Sequence, residues 1–294
     1  MHITHAIRIE QIKYIYNMLF CNIKYKQIDM FLCGGMSTRF KKSYRDQIRG
    51  KIESDNINVL YPEDLFMEML NRKKYDLLTL EAVLARNSDV IVIFPESPGS
   101  YAELGAFSNN NETANKLVVF QHNKFKRAHS FISQGPISYM QKLHKGSVFY
   151  FNEDMDMAAQ ELQKVLRHRF KLYKTIPSIA FKDIDQLTGL MTFSMMLLFF
   201  YDKLAVYVLK NSILELFGEL NKLTNDFDII YNAVIKLMFK RGLIEKRNKK
   251  GEYYYCLTDK GVLKASFIME QIALPERSKV INRIRLDIIK DQLC

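Results

Sequence analysis

The 294-residue sequence contains no tryptophan, only six prolines and only four cysteines. So little proline excludes a collagen-like or proline-rich extended chain. Cys21, Cys33, Cys256 and Cys294 lie far apart, with no CxxC pair and no histidine at ligand spacing. They read as reduced thiols of a cytosolic protein, not as a disulfide framework or a zinc site, and no metal is expected. Long hydrophobic runs are also lacking. The most apolar stretch, Leu190 to Tyr201, breaks at Asp202 and Lys203, short of the ~20 residues that a bilayer span requires. A buried helix is expected there, and no membrane association. Met1 to Phe20 mixes His2, His5, Arg8, Glu10 and Lys13 with apolar residues, which is the spacing of an amphipathic helix and not of a secretory signal.

Acidic charge is the scarcer sign: 32 Asp and Glu against 43 Lys and Arg, a net charge of +11. Hydrophobic residues at 48% and charged residues at 26% are ordinary globular values and exclude a disordered chain. The basic excess is spread over both halves but concentrates in Tyr231 to Lys264, where nine Lys and Arg face Glu245, Glu252 and Asp259. Such a balance suits a polyanionic partner, and a solvated basic face would look the same.

The first half alternates strand and helix patterns. Ile28–Cys33 is an apolar run ended by Gly34 and Gly35; a basic helical segment covers about Lys41 to Glu53. Asn56–Tyr61 is a second strand, and Pro62 opens a helix with Glu63 and Asp64 in its first turn. Leu77, Leu80, Leu84 and Ala85 mark a helix over Tyr75 to Arg86. Asp89–Phe94 is continuous in Val and Ile, as a strand buried on both faces should be; Lys116–Phe120 and Ser147–Phe151 complete five strands. The expected fold is α/β: a doubly wound, flavodoxin-like five-stranded parallel sheet. Ligands of such sheets bind beyond the carboxyl ends of the strands, where strand order reverses. In that order the reversal brings the loop Gly34 to Ser37 opposite Pro95 to Glu103.

Gly34, Gly35 and Gly99 permit close backbone approach to an anionic group, although turn geometry alone would also explain the pair. Ser100-Tyr101-Ala102-Glu103 matches an S-x-x-E capping box, in which the glutamate only bonds back to the helix start. The same carboxylate, aimed into a sheet crevice, could attack or stabilise the oxocarbenium-like centre of a breaking glycosidic bond. Glu96, Ser97 and the run beginning at Asn109 crowd the same loop. Spacing leaves capping and catalysis both open.

The blocks FLCGG (Phe31–Gly35), YPEDLF (Tyr61–Phe66) and DVIVIFPESPGSYAELGAFSNN (Asp89–Asn110) resemble the nucleoside deoxyribosyltransferase-like effectors of type II retrons. The resemblance covers the first half in spaced blocks and the remainder more loosely. It implies that Glu103 is the nucleophile on the anomeric carbon; the two switch-point loops and the helix after them offer Gly34, Gly35, Ser37, Glu96, Ser97, Gly99, Ser100 and Asn109 as candidate substrate contacts. The parent family carries an aspartate six residues before that glutamate, where this chain has Ser97. That departure fits an N-glycosidase that hands the sugar to water. The resemblance further implies a nucleotide substrate, NAD foremost, with no separate cofactor. It also implies restraint by a retron reverse transcriptase and its branched RNA–DNA (msDNA), release on phage infection, and a homo-oligomer or higher assembly. Rival expectations are a true deoxyribosyltransferase, a nucleotide phosphoribohydrolase, or a non-catalytic nucleotide sensor joined to a DNA-binding repressor.

The second half is expected to be helical and then a winged helix-turn-helix, with domains at 1–174 and 175–294. Asn152 to Leu172 reads as a long helix, followed by a linker at Thr175-Ile176-Pro177. Asp183 to Leu223 reads as helix rich in Met, Leu and Phe, either core or an interaction stripe. Asp228–Arg241 is a helix, Leu243–Lys246 starts a strand, Asn248–Gly251 makes a basic hairpin tip, Glu252–Leu257 returns, and Thr258-Asp259-Lys260-Gly261 opens another helix. Lys236, Lys240, Arg241, Lys249 and Lys250 are the candidate nucleic-acid contacts, with protein docking as the other use of such a module.

Overall fold

A computed structural model of the chain describes residues 7–24, 27–54, 57–71, 75–170 and 182–293. The expected linker at 175–177, the boundary at 174 and Cys294 lie outside the described residues. The elements run α1 (Ile9–Met18), β1 (Ile28–Cys33), α2 (Tyr44–Ile52), β2 (Ile57–Leu60), α3 (Pro62–Asn71), α4 (Leu77–Asn87) and β3 (Val90–Ile93). There follow α5 (Pro98–Ser108), α6 (Asn111–Ala114), β4 (Leu117–His122), α7 (Ser138–Leu143), β5 (Val148–Phe151) and α8 (Met155–Phe170). The remainder comprises α9 (Leu187–Tyr201), β6 (Lys203–Ala205), α10 (Val206–Glu219), α11 (Phe227–Lys240), β7 (Ile244–Lys249), β8 (Glu252–Leu257), α12 (Asp259–Glu270) and α13 (Arg277–Leu293).

The chain divides into two units, residues 26–179 and residues 1–25 with 180–294. The described residues 7–24 therefore belong with the second half, a correction to the expected domain 1–174. The reason lies in the partners that α1 finds. Gln11 accepts a 2.7 Å hydrogen bond from the Tyr201 hydroxyl, Lys13 pairs with Glu219 at 2.7 Å, and Ile23 bridges to Ile272.

In the unit 26–179, among the described residues, five strands form an all-parallel sheet in the order β2-β1-β3-β4-β5. The sheet is doubly wound as expected, with the reversal between β1 and β3. β1 and β3 are buried along their whole length, which accounts for their unbroken apolar runs. On one face Phe94 stacks on Phe120 with ring centroids 5.1 Å apart, and Phe151 meets Phe94 edge-on at 5.6 Å. Leu162 and Leu166 of α8 close that layer. Capping fixes the helix starts: the Ser43 side chain accepts from the Asp46 amide at α2, and Asp76 accepts from the Thr79 amide at 2.8 Å at α4.

In the other unit, the segment Asp183 to Leu223 is not continuous helix. Asp202, at φ 62°, ends α9, and Lys203–Ala205 pairs antiparallel with β8 before α10 begins. Among the described residues the resulting sheet has three strands in the order β6-β8-β7. α9 is buried almost throughout, from Leu187 to Leu198, so its Met-rich stripe is core. The β7–β8 hairpin turns on two residues, Lys250 at φ 53° and Gly251 at φ 86°; two left-handed residues are what a tight type I′ turn demands.

Gly261, in the first turn of α12, sits against the chain leaving α11. A Cβ there would lie 2.0 Å from the Leu243 carbonyl oxygen, which is itself bonded by the Thr258 amide at 3.1 Å. Gly261→Ala is expected to destabilise the unit by about 3 kcal/mol, since neither backbone can retreat without breaking that cap. Gly218→Ala in α10, where a Cβ meets nothing within 4 Å, should instead gain about 0.5–1 kcal/mol. Thermal unfolding of both variants checks the pair. Equal behaviour would show that the turn before α12 is not rigid.

Candidate active site

The switch point is built by β1 and β3 ending side by side, which sends their loops over the same sheet edge. The Glu96 carboxylate ties those loops together. It accepts from the Gly35 amide at 3.1 Å and from the Tyr44 amide, at the start of α2, at 3.0 and 3.2 Å. Burial is the largest influence on this carboxyl and holds its pKa above the usual value despite those donors. A Cβ on Gly35 would stand 3.0 Å from Glu96 Cγ, and one on Gly34 3.1 Å from Arg45 Cβ. The glycine pair is thus explained by the close approach of Glu96 and Arg45. Ser37 is exposed; its hydroxyl donates to the Asp46 carboxylate and accepts from the Ser43 amide at 2.9 Å.

The helix start differs from the S-x-x-E expectation. Pro98 occupies the first helical position and Ser97 is the N-cap, its hydroxyl accepting from the Ser100 amide at 3.3 Å. The Ser100 hydroxyl returns the bond, accepting from the Ser97 amide at 2.9 Å and from the Glu96 amide at 3.0 Å. The capping box is therefore Ser97 with Ser100, because proline suits the first turn and cannot sit deeper in the helix. Glu103 falls one turn further along and takes no part in the cap. Ser97 and Ser100 are occupied in the turn, and a side chain on Gly99 would meet nothing within 4 Å. Asn109 caps the far end of α5, about 16 Å from Pro98 at 1.5 Å per residue, so the structure does not bring it to this edge.

Around Glu103 stand three residues that sequence reasoning did not single out. Arg45 of α2 is 7% exposed, donates to Glu63 of α3 at 2.7 Å and lies over the Tyr61 ring at 4.8 Å. Glu81 of α4 is 8% exposed. Glu103 is half-buried, and burial is the main cause that lifts its pKa to about 7; Arg45 and a Cys33 thiol contact pull down, Glu63 pushes up. Glu81 also rises to about 7, through burial first and then the charge of Glu103. Two carboxyls poised near neutrality beside one guanidinium form a site able to supply a nucleophile and to accept a proton. Glu81 had a legible signal: an acid between Leu80 and Leu84 on the apolar face of its helix. Glu63 read only as a first-turn acid, and Arg45 as one base among several.

In the other unit the candidate basic residues occupy two elements. Lys249 and Lys250 are exposed at the hairpin turn, with Lys246 and Arg247 exposed on the same strand. Lys240 is exposed at the end of α11, while Lys236 and Arg241 are partly covered. Lys246 lies over the Tyr253 ring at 4.0 Å. Among the described residues no helix is long and apolar enough to cross a membrane.

Comparison with known proteins bears on both units. A family model described as the STM3845 retron effector protein matches residues 41–246. The chain is 40% identical over 159 residues to an Escherichia coli protein named "Retron Ec86 putative ribosyltransferase/DNA-binding protein", covering 53% of this chain and 50% of that one. Its retron Ec73 counterpart of the same designation, also from Escherichia coli, is 27% identical over 146 residues, covering 46% of this chain and 45% of the relative. The matched segment thus spans about half the length of each relative.

Proposed function

The chain belongs to the STM3845 retron effector family, and from that premise we propose that it is the toxic effector of a retron anti-phage system that hydrolyses the N-glycosidic bond of a nucleotide. NAD, cleaved to nicotinamide and ADP-ribose, is the substrate that the site suits best. The observation that carries this reading is Glu103: its Oε2 is buried without a hydrogen-bond partner at the strand-order reversal, and the helix cap makes no use of it.

The chemistry follows from the groups present. The ionised Glu103 carboxylate forms a bond to the anomeric carbon as the carbon–nitrogen bond breaks, and the bonding pair passes to the pyridinium nitrogen. Nicotinamide then leaves neutral, with no proton required. A purine or pyrimidine leaving group would need an acid, and Ser97, where the parent family has aspartate, carries no carboxyl to supply one; its hydroxyl donates to Ser100 Oγ at 3.1 Å. Water next attacks the same carbon, restoring the Glu103 carboxylate; Glu81 has the proton affinity to take up the proton that the water sheds.

The remaining unit is proposed to be a winged helix that contacts nucleic acid through α11 and the basic hairpin, Lys236, Lys240, Arg241, Lys249 and Lys250 being the phosphate contacts. Its order α9-β6-α10-α11-β7-β8 supports that reading, as do the names of the two relatives. Reverse transcriptase and msDNA are the proposed restraining partners, in a cytoplasmic homo-oligomer or larger assembly.

Incubating the purified chain with NAD and separating the products by chromatography tests the activity. Equal amounts of nicotinamide and ADP-ribose are expected. Intact NAD, with release of a base from purine nucleotides instead, would move the assignment to a phosphoribohydrolase.

A further inference from the structure

We infer that Arg45 and Glu63 read the 2′-hydroxyl of the substrate sugar beside Glu103, so that the site takes ribosides and rejects 2′-deoxyribosides. This rests on the assignment of the edge around Glu103 as a glycoside-cleaving site. Three polar atoms there are buried and have no hydrogen-bond partner: Arg45 Nε, Glu63 Oε2 and Glu103 Oε2. Their residues are otherwise held in place. The Arg45 guanidinium rests on the Tyr61 ring and spends one terminal nitrogen on Glu63 Oε1 at 2.7 Å. Its Nε–H is thereby presented, not free to swing to another partner, because the residue is 7% exposed.

Buried donors and acceptors are satisfied in nearly all folded proteins, by protein groups, ordered water or a ligand, and three unpaired atoms in one cluster beside Glu103 suit a bound hydroxyl. The cluster is rich in acceptors: Glu63, Glu81 and Glu103 share one guanidinium, whose charge reaches both Glu81 and Glu103. Yet no group of three or more His, Cys, Asp or Glu among the described residues is placed to hold a metal ion. The complement is a group that donates to a carboxylate oxygen and accepts from an N–H at the same oxygen atom. A hydroxyl does both. The sugar hydroxyl next to the anomeric carbon is the one that the Glu103 carboxylate must pass, and bonds to it strengthen as positive charge grows on the ring. Removing that hydroxyl returns Arg45 Nε and Glu63 Oε2 to their orphaned state. Sites built to bond a substrate hydroxyl reject the analogue lacking it by roughly 10²- to 10⁵-fold.

The test compares NAD with its analogue lacking the 2′-hydroxyl on the nicotinamide ribose, using the full chain and following nicotinamide release. A kcat/KM ratio of at least about 10² in favour of NAD is expected. Glu63→Gln should bring the ratio below about tenfold, the loss falling on NAD, because the amide presents a donor where the hydroxyl must donate. Equal turnover of both compounds by the unaltered chain would overturn the inference and leave the hydrolase reading intact. An equal loss for both compounds in Glu63→Gln would also overturn it, showing a structural role only. Calorimetric binding of the two compounds to Glu103→Gln protein separates the two readings without turnover. Preferential binding of NAD supports the 2′-hydroxyl contact even if the chain proves not to cleave it, whereas equal binding removes the contact.

Discussion

Glu103→Gln is expected to lower the rate of glycosidic cleavage by at least about 10³-fold while making the protein more stable above neutral pH. The rate loss follows because an amide oxygen cannot form a stable bond to the anomeric carbon; a missing nucleophile costs several kcal/mol in the barrier. The stability gain follows from the pKa near 7 that burial imposes on this carboxyl. In the unfolded chain the group ionises near its ordinary 4.5. The folded state therefore binds the proton more tightly, and its stability falls as pH rises between the two values, with the full penalty present above about 7. A difference of this size corresponds to about 3 kcal/mol, and glutamine removes it. The variant should thus match the unaltered protein at pH 4 and melt several degrees higher at pH 8. Activity of the unaltered chain should rise with pH through about 7, as Glu103 ionises. Near-normal turnover by the glutamine variant would remove the catalytic assignment. Equal melting at pH 8 would show that the carboxyl is well solvated and not strained by burial.

Glu103 stands out as a candidate because the chain flags it twice, by its place after the strand Asp89–Phe94 and by the block around it. The strands were legible for a related reason. A strand buried on both faces must be apolar throughout, and β1 and β3 leave no other reading. What the sequence concealed lies in tertiary convergence. Arg45, Glu63 and Glu81 come from α2, α3 and α4, and no local pattern tells that their side chains meet at one sheet edge. The cap at Ser97 was misread as one at Ser100 because two serines stand three apart and only the first precedes proline. β6 was hidden because three residues carry too little alternation to separate a strand from the apolar helices around it. The allegiance of α1 was hidden too: amphipathic spacing announces that a face is buried but not against what.

The basic hairpin offers the second large effect. Lys249 and Lys250 project from a two-residue turn, exposed and clear of the core, so charge can be changed there without disturbing packing. If the hairpin touches phosphates, each contact releases a condensed counterion, and affinity falls linearly on a logarithmic salt axis. Losing two contacts should reduce the magnitude of that slope by about 1.4 on single strands and 1.8 on duplex. Lys249→Glu with Lys250→Glu is therefore expected to weaken binding by roughly tenfold or more at low salt, with little dependence on base sequence, because phosphate contacts position without specifying. Fluorescence anisotropy with single-stranded and duplex oligonucleotides between about 50 and 200 mM salt reads both quantities. Lys240→Glu at the end of α11 should act in the same direction, since a helix end and a hairpin tip that grip one backbone must lose contacts independently. An unchanged slope in the hairpin variant, with melting also unchanged, would mean that this surface meets a protein and not a phosphate backbone. The proposed restraint by msDNA would then lose its support from this hairpin.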